Sequence, residues 1–330
     1  MTVLPVSVLD RANSRTGESE FRALRRVIAR AQHAERLGFH RFWVAEHHGV
    51  PGIVGSAPTV LMASVAARTT SIRVGSGGVM LPAHQPIVVA EQAATLEALH
   101  PGRIDLGLGR SLGFTAAVRA ALRQDADAAE RFPDDLSELL GYLRGEAAVS
   151  ARPQNRAATP VYLLATGRGL DRAAQAGLGV VLGGPSLFSR ADRDEHPGIA
   201  RYRREFRPSP FAERPFVMVA ANIAVADSRQ EARELLLPEA WALVASRSTG
   251  EFPPLQSAQQ VRELKRTDRQ DRRLGDHLET GIAGSPAEVR AELEALIEFT
   301  GADELLATGG MFDVEAQARS DELLIAALSD

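Results

Sequence analysis

Residues 42–48 read Phe-Trp-Val-Ala-Glu-His-His, an apolar run that ends in three titratable groups, and Gly49-Val50-Pro51-Gly52 follows as a loop. A buried parallel strand that delivers polar groups to the end of a sheet has this form. A histidine there can accept or donate a proton near neutral pH, the property general acid–base chemistry requires. His47 is the first catalytic candidate on these grounds. His48 and Glu46 fit a supporting role better: Glu46 can orient a histidine or tie down the loop backbone. The three also invite a reading as metal ligands. Adjacent side chains on an extended strand point to opposite faces, however, and the spacing is not that of a His-Glu-x-x-His site, so no metal is expected.

Two more strand ends carry chemically useful groups. Val74-Gly75-Ser76-Gly77-Gly78-Val79-Met80-Leu81-Pro82 places paired glycines where a flat ring could approach the backbone; a β-bulge or tight turn would also use them. Gly107-Leu108-Gly109-Arg110 ends in an arginine suited to a phosphate or to a surface ion pair. Its glycines are not a dinucleotide fingerprint, because Gly113 comes one position late. Further on, Thr166-Gly167-Arg168-Gly169 lies between a strand and a helix. The N–H groups of such a turn can bind an anion, or it can be a plain connection.

Elements must bring these segments together. Strand-like runs at Val3–Leu9, Arg41–Ala45, Ile72–Met80, Ile104–Leu108, Val161–Ala165, Val180–Leu182, Phe216–Val225 and Glu304–Ala307 alternate with helical patterns. Eight such units predict an α/β fold, a (β/α)8 TIM barrel in one domain over residues 1–330, whose C-terminal strand ends build the active site. A doubly wound open sheet would call for a glycine fingerprint after the first strand, where Asp10-Arg11-Ala12-Asn13 stands instead. Residues 247–280 interrupt the pattern with a polar insertion before the last βα unit. They fit a charged exposed helix, a disordered insertion, or a mobile lid over the barrel mouth. Leu9, Leu81, Leu112, Phe114 and Phe188, with Met80 and Leu182, are candidates for an apolar substrate pocket.

Composition narrows the function. The 330 residues carry a net charge of -4, which disfavours nucleic acid as the main partner. No cysteine is present, so disulfides, thiolate metal sites and a cysteine nucleophile are excluded. Lys265 is the one lysine and lies in the charged insertion, an unpromising place for Schiff-base chemistry. The N-terminus lacks the pattern of a signal peptide, and no apolar run reaches the roughly 20 residues of a membrane span. A cytoplasmic protein is expected.

Glu46-His47-His48, the Gly77-Gly78 strand end and Leu99-His100-Pro101-Gly102-Arg103 occur in the order and spacing of the bacterial luciferase-like, flavin-dependent monooxygenases. The chain most resembles the alkanal-monooxygenase-type subgroup, which includes polyketide-tailoring enzymes and so points toward secondary metabolism. The resemblance is dense over residues 4–110 and returns at Gly284-Ser285-Pro286 and Phe312–Leu324. It implies a TIM barrel that binds reduced FMN, supplied by a separate reductase, with O2 as co-substrate. Oxygen would add to the flavin as a C4a-peroxide and pass one atom to a hydrophobic organic substrate. It further implies His47 beside the flavin, a non-proline cis peptide at Gly77-Gly78 beneath the ring, and phosphate contacts from Arg110. Gly167, Arg168 and Gly169 fall where the family also grips the phosphate, although this turn is richer in glycine and shorter than in luciferase. A homodimer through helices 57–68 and 87–99 is implied as well. Two alternatives stay open: an F420-dependent hydride-transfer oxidoreductase on the same fold, and a non-catalytic flavin-binding protein.

Overall fold

The structure is a computed structural model and describes residues 4–125, 127–156, 158–188 and 194–329; Val3 of the first expected strand lies outside them. Strands and helices follow one another as β1 (Val6–Asp10), α1 (Glu20–Leu37), β2 (Arg41–Val44), α2 (Pro58–Ala66), β3 (Arg73–Ser76), β4 (Val79–Met80), α3 (Pro86–Leu99) and β5 (Ile104–Gly109). The middle of the chain forms α4 (Ala116–Ala121), α5 (Phe132–Arg144), β6 (Val161–Leu164), α6 (Arg168–Ala176), β7 (Gly179–Gly183), α7 (Pro197–Glu205) and β8 (Val217–Val225). The last part forms α8 (Arg229–Thr249), α9 (Ala258–Glu263), α10 (Asp268–Glu279), β9 (Ile282–Gly284), α11 (Pro286–Thr300), β10 (Glu304–Thr308) and α12 (Val314–Ser329).

Every strand pairing is parallel, and the sheet closes: β10 pairs with β1 through Val6 and Leu305 and with β8 through Glu304 and Met218. The fold is a (β/α)8 barrel, with β3 and β4 together serving as its third strand. They are separated by a cis peptide at Gly77-Gly78. The extra strand β9 extends the sheet beyond β8 through Ile223 and Ile282.

Side chains alternate between the two sides of each strand. Val8, Phe42, Val74, Ile104 and Val180 face outward into the layer between strands and helices. Leu9, Trp43, Tyr162, Met218 and Leu306 fill the lumen. Trp43 is fully buried there, in space left by Gly75, where an added Cβ would sit 2.4 Å from the indole nitrogen. Below Trp43 the N-terminal end of the lumen is charged. Arg41 pairs with Asp105 at 2.8 Å and with Glu304 at 2.9 Å, and Arg73 reaches Asp105 at 2.6 Å. Each acid has guanidinium donors, so these buried charges are compensated. The barrel is thereby plugged from below and can open only at its C-terminal mouth.

The charged insertion folds as α9 and α10, each started by a full capping box, at Ser257 with Gln260 and at Thr267 with Gln270. Val261 and Leu274 bury themselves with Leu237 and Val244 of α8. Residues 247–280 thus hold the end of α8 and two short helices. Among the described residues no helix is long and apolar enough to cross a membrane.

Candidate active site

The ends of β2, β4, β5 and β6 surround a cleft of about 880 Å³, a size suited to a cofactor with room for a small substrate. Residues 45–48 form one wall, Gly77, Gly78 and Met80 the next, residues 109–114 the third, and residues 163–166 with Arg168, Gly169 and Arg172 the last. The candidates His47, Gly77, Gly78, Arg110, Leu112, Phe114, Arg168 and Gly169 all line it; Gly167 is the residue before α6, between two lining residues. Four segments spread between residues 45 and 172 therefore converge at the mouth.

Four apolar candidates lie elsewhere; one of them, Leu182, is fully buried in the strand–helix layer. Leu9 points into the lumen under Gly77, where its methyl would be 2.7 Å from an added Cβ. Leu81 is fully buried in the strand–helix layer, because the turn after β4 directs it away from the mouth. Phe188 packs on the same layer beside the turn after β7. The apolar side chains that do reach the cleft are Met80, Leu112, Phe114, Phe132, Leu163 and Leu164.

Glu46 organises the floor. Its Oε1 accepts hydrogen bonds from His48 Nε2 at 2.6 Å and His84 Nε2 at 2.7 Å, and its Oε2 accepts the Met80 N–H at 2.8 Å. Burial alone would raise the carboxyl pKa; the bonds from His48, His84 and Met80 outweigh it and hold the group below its ordinary value. Glu46 thus joins the end of β2 to the end of β4, beside the Gly77-Gly78 peptide. His84 lies two residues beyond the Val74–Pro82 strand end, where no local pattern marks it. Only the short turn of residues 81–83 turns it back toward β2. Glu46, His48 and His84 also form a compact potential ligand group. Because both imidazoles address the same carboxylate oxygen at hydrogen-bond length, the set is internally satisfied without an ion.

His47 behaves differently. Its backbone N–H bonds Gly55 O at 2.8 Å, and its ring lies 6.1 Å from that of Phe114. Its Nδ1 is buried without a hydrogen-bond partner among the described residues. Burial first, and then the positive charge of Arg11, lower its pKa to about 4. Burial at this position thus favours the neutral ring over the charged one. A neutral imidazole still accepts a proton at one nitrogen and donates from the other.

On the opposite wall, Arg110, Arg168 and Arg172 converge, and none of the three is ion-paired among the described residues. Arg172 stands one turn beyond Arg168 on α6 and rests over the Phe132 ring at 5.8 Å. Arg172 is absent from the residues singled out above, although its four-residue spacing from Arg168 puts both on one helix face. The turn before α6 commits the Gly169 N–H to Thr166 O. The N–H groups of Gly167 and Arg168 have no acceptor among the described residues. Gly167 is at φ 52 and ψ -122, a conformation that suits glycine. Unpaired guanidinium groups, free amides and a helix N-terminus together favour a phosphate. The cleft thus offers a cationic end for phosphate, a flat glycine floor for a ring, and a buried neutral histidine. A flavin mononucleotide fits this donor set.

Comparison with known proteins agrees in extent. The family model described as luciferase-like monooxygenase matches residues 4–304. A protein of Escherichia coli strain K12 named luciferase-like monooxygenase is 36% identical over 96% of this chain and 95% of its own length. The N-acetyl-S-alkylcysteine monooxygenase of Bacillus subtilis is 36% identical over 70% of this chain and 71% of its own. The crystal structure of apo-MsnO8 superposes with a TM-score of 0.87 at 30% identity, covering 99% of this chain and 98% of that one.

Proposed function

The chain belongs to the luciferase-like monooxygenase family, and from that premise we propose that it uses reduced FMN and O2 to oxygenate a hydrophobic organic substrate. The observation that carries this reading is the single cleft in which the glycine floor, the unpaired His47 Nδ1 and the three arginines meet. Reduced FMN, when bound, supplies two electrons to oxygen, so that one oxygen atom enters the substrate and the other leaves as water. A separate reductase is the proposed source of the reduced flavin.

The residues divide the work. Arg110, Arg168, Arg172 and the N–H groups of Gly167 and Arg168 would hold the phosphate by charge-assisted hydrogen bonds. Gly77 and Gly78 would let the ring lie against backbone, and the Glu46 clamp through Met80 N–H keeps that backbone in place. His47 Nδ1 is the group that can take up or return a proton inside the cleft. Leu112, Phe114 and Leu164 exclude water from the reacting end and give the substrate an apolar surface. Val60 and Val88 are exposed on α2 and α3 (64% and 41%), and a homodimer through these helices would cover them.

The test is to bind reduced FMN without oxygen, add oxygen, and follow flavin oxidation in wild type and His47→Ala. Oxidation on a time course distinct from that of free flavin, altered by the substitution, supports the reading. Oxidation at the free-flavin rate in both proteins sinks it. One observation favours a second reading, hydride transfer with F420: Arg172 adds a third cation to the two visible in sequence, and the acidic tail of F420 would need such groups. Tight binding of F420 in place of FMN would establish that alternative.

A further inference from the structure

A second cavity of about 180 Å³ lies behind the cleft, between α1 and α12 and beside the ends of β1 and β10, and shares no lining residue with the cleft. Its apolar wall includes Ala12, Val27, Val314 and Ala318. Its polar wall is rich in charge, and nearly all of that charge is paired. Arg30 bonds Asp321 at 3.0 Å and Asp10 at 3.2 Å, Arg11 bonds Glu239, and Arg26 bonds Glu18. Arg15 is the exception. It is 8% exposed, and its donors go to the neutral Phe312 carbonyl at 2.7 Å and the Gln317 amide oxygen at 3.2 Å. No carboxylate pairs with it among the described residues. Burial first, then Arg26, lower its pKa to about 10 against the opposing pull of Asp10 and Glu18, neither of which bonds it. Asn13 lies on the same wall, also 8% exposed, with its Nδ2 lacking a hydrogen-bond partner among the described residues.

A buried guanidinium without a counter-ion and a buried amide N–H without an acceptor share one preference, an anionic oxygen. We propose that this cavity binds a small carboxylate, its oxygens received by Arg15 and Asn13 and its short apolar part lying against Val27, Val314 and Ala318. The planar fork of arginine matches a carboxylate. A cavity of about 150 Å³ holds a molecule the size of benzene, so this one admits an acid of about four carbons. The acids nearby are each bonded to another arginine: Asp10 and Asp321 to Arg30, Glu239 to Arg11 and Glu18 to Arg26. The site stands apart from the flavin reading and does not depend on it.

Calorimetric titration with sodium butyrate, against sodium chloride at equal ionic strength, tests the site in the full chain without flavin. Saturable butyrate binding in the millimolar range or tighter is expected, with no comparable signal from chloride. Arg15→Met should weaken it by about tenfold or more, the loss of one charge-assisted hydrogen bond. Should Arg15→Met fail to fold, Ala318→Leu provides the check by filling the cavity: it should abolish butyrate binding. Absence of butyrate binding to folded wild type, equal binding of chloride, or unchanged binding in either folded variant overturns the proposal.

Discussion

Glu46 and His84 are 38 positions apart in the chain, yet Oε1 of one accepts a hydrogen bond from Nε2 of the other at 2.7 Å. The same carboxylate takes the N–H of Met80, so one buried side chain fixes the turn after β4 against the end of β2. Glu46→Ala would leave His48, His84 and the Met80 N–H without their acceptor. A loss of about 3–5 kcal/mol is expected, as for breaking a buried charged network. Urea unfolding of the variant measures it. Glu46→Gln keeps an oxygen for Met80 and should cost less, about 1–3 kcal/mol. Equal stability of wild type and Glu46→Ala would show that the clamp holds nothing.

His47 gives a pH prediction with a definite sign. Its folded-state pKa is lowered to about 4 from an ordinary 6.5. The unfolded chain therefore binds this proton at higher pH than the folded one does. Stability from this group is fully present above pH 6.5 and is lost as the pH falls toward 4, by up to about 3 kcal/mol. Wild type should lose more stability than His47→Gln between pH 7 and 4.5. Imidazole NMR should find the His47 ring neutral at pH 6; a His47 titration near 6.5 would contradict the burial argument.

Arg168 and Arg172 can be separated from ring binding by choice of ligand. Arg168→Gln and Arg172→Gln should each weaken FMN by about tenfold or more, the scale of one charge-assisted hydrogen bond. Riboflavin has no phosphate, so its affinity should stay the same in both variants. Fluorescence quenching of the two flavins measures both constants. A parallel loss of riboflavin affinity would assign these arginines to the shape of the cleft rather than to phosphate.

Val60, 64% exposed on α2, tests the proposed homodimer. Val60→Arg places a charge in the face that pairing would bury, and burying an unpaired charge is costly. Light scattering should report a dimer for wild type and a monomer for the variant. A wild-type monomer at micromolar concentration would remove the dimer from the proposal.

Much of this protein is determined by local patterns. The eight strand-like runs, each followed by a helical repeat, specify the barrel because parallel strands buried on both faces must be apolar throughout and must be joined by crossover helices. His47, Gly77, Gly78, Arg110 and Arg168 stand at strand or helix ends, where side chains can leave the packed layers, and that placement is visible without coordinates. The tertiary structure decided what depends on contact between distant segments. Leu81 and Leu112 are the same residue type close to strand ends, yet the turn after β4 buries the first while the loop after β5 sends the second to the cleft. His84 gains meaning only because Glu46 lies across from it, and the pKa of His47 falls only because burial and Arg11 surround it. Arg15 reads in the sequence as one arginine among 37. Its lack of a carboxylate partner arises when α1 and α12 pack together and Asp10 and Asp321 go to Arg30 instead. Strand periodicity is encoded by neighbours along the chain, whereas charge compensation is settled among residues that only folding brings within reach.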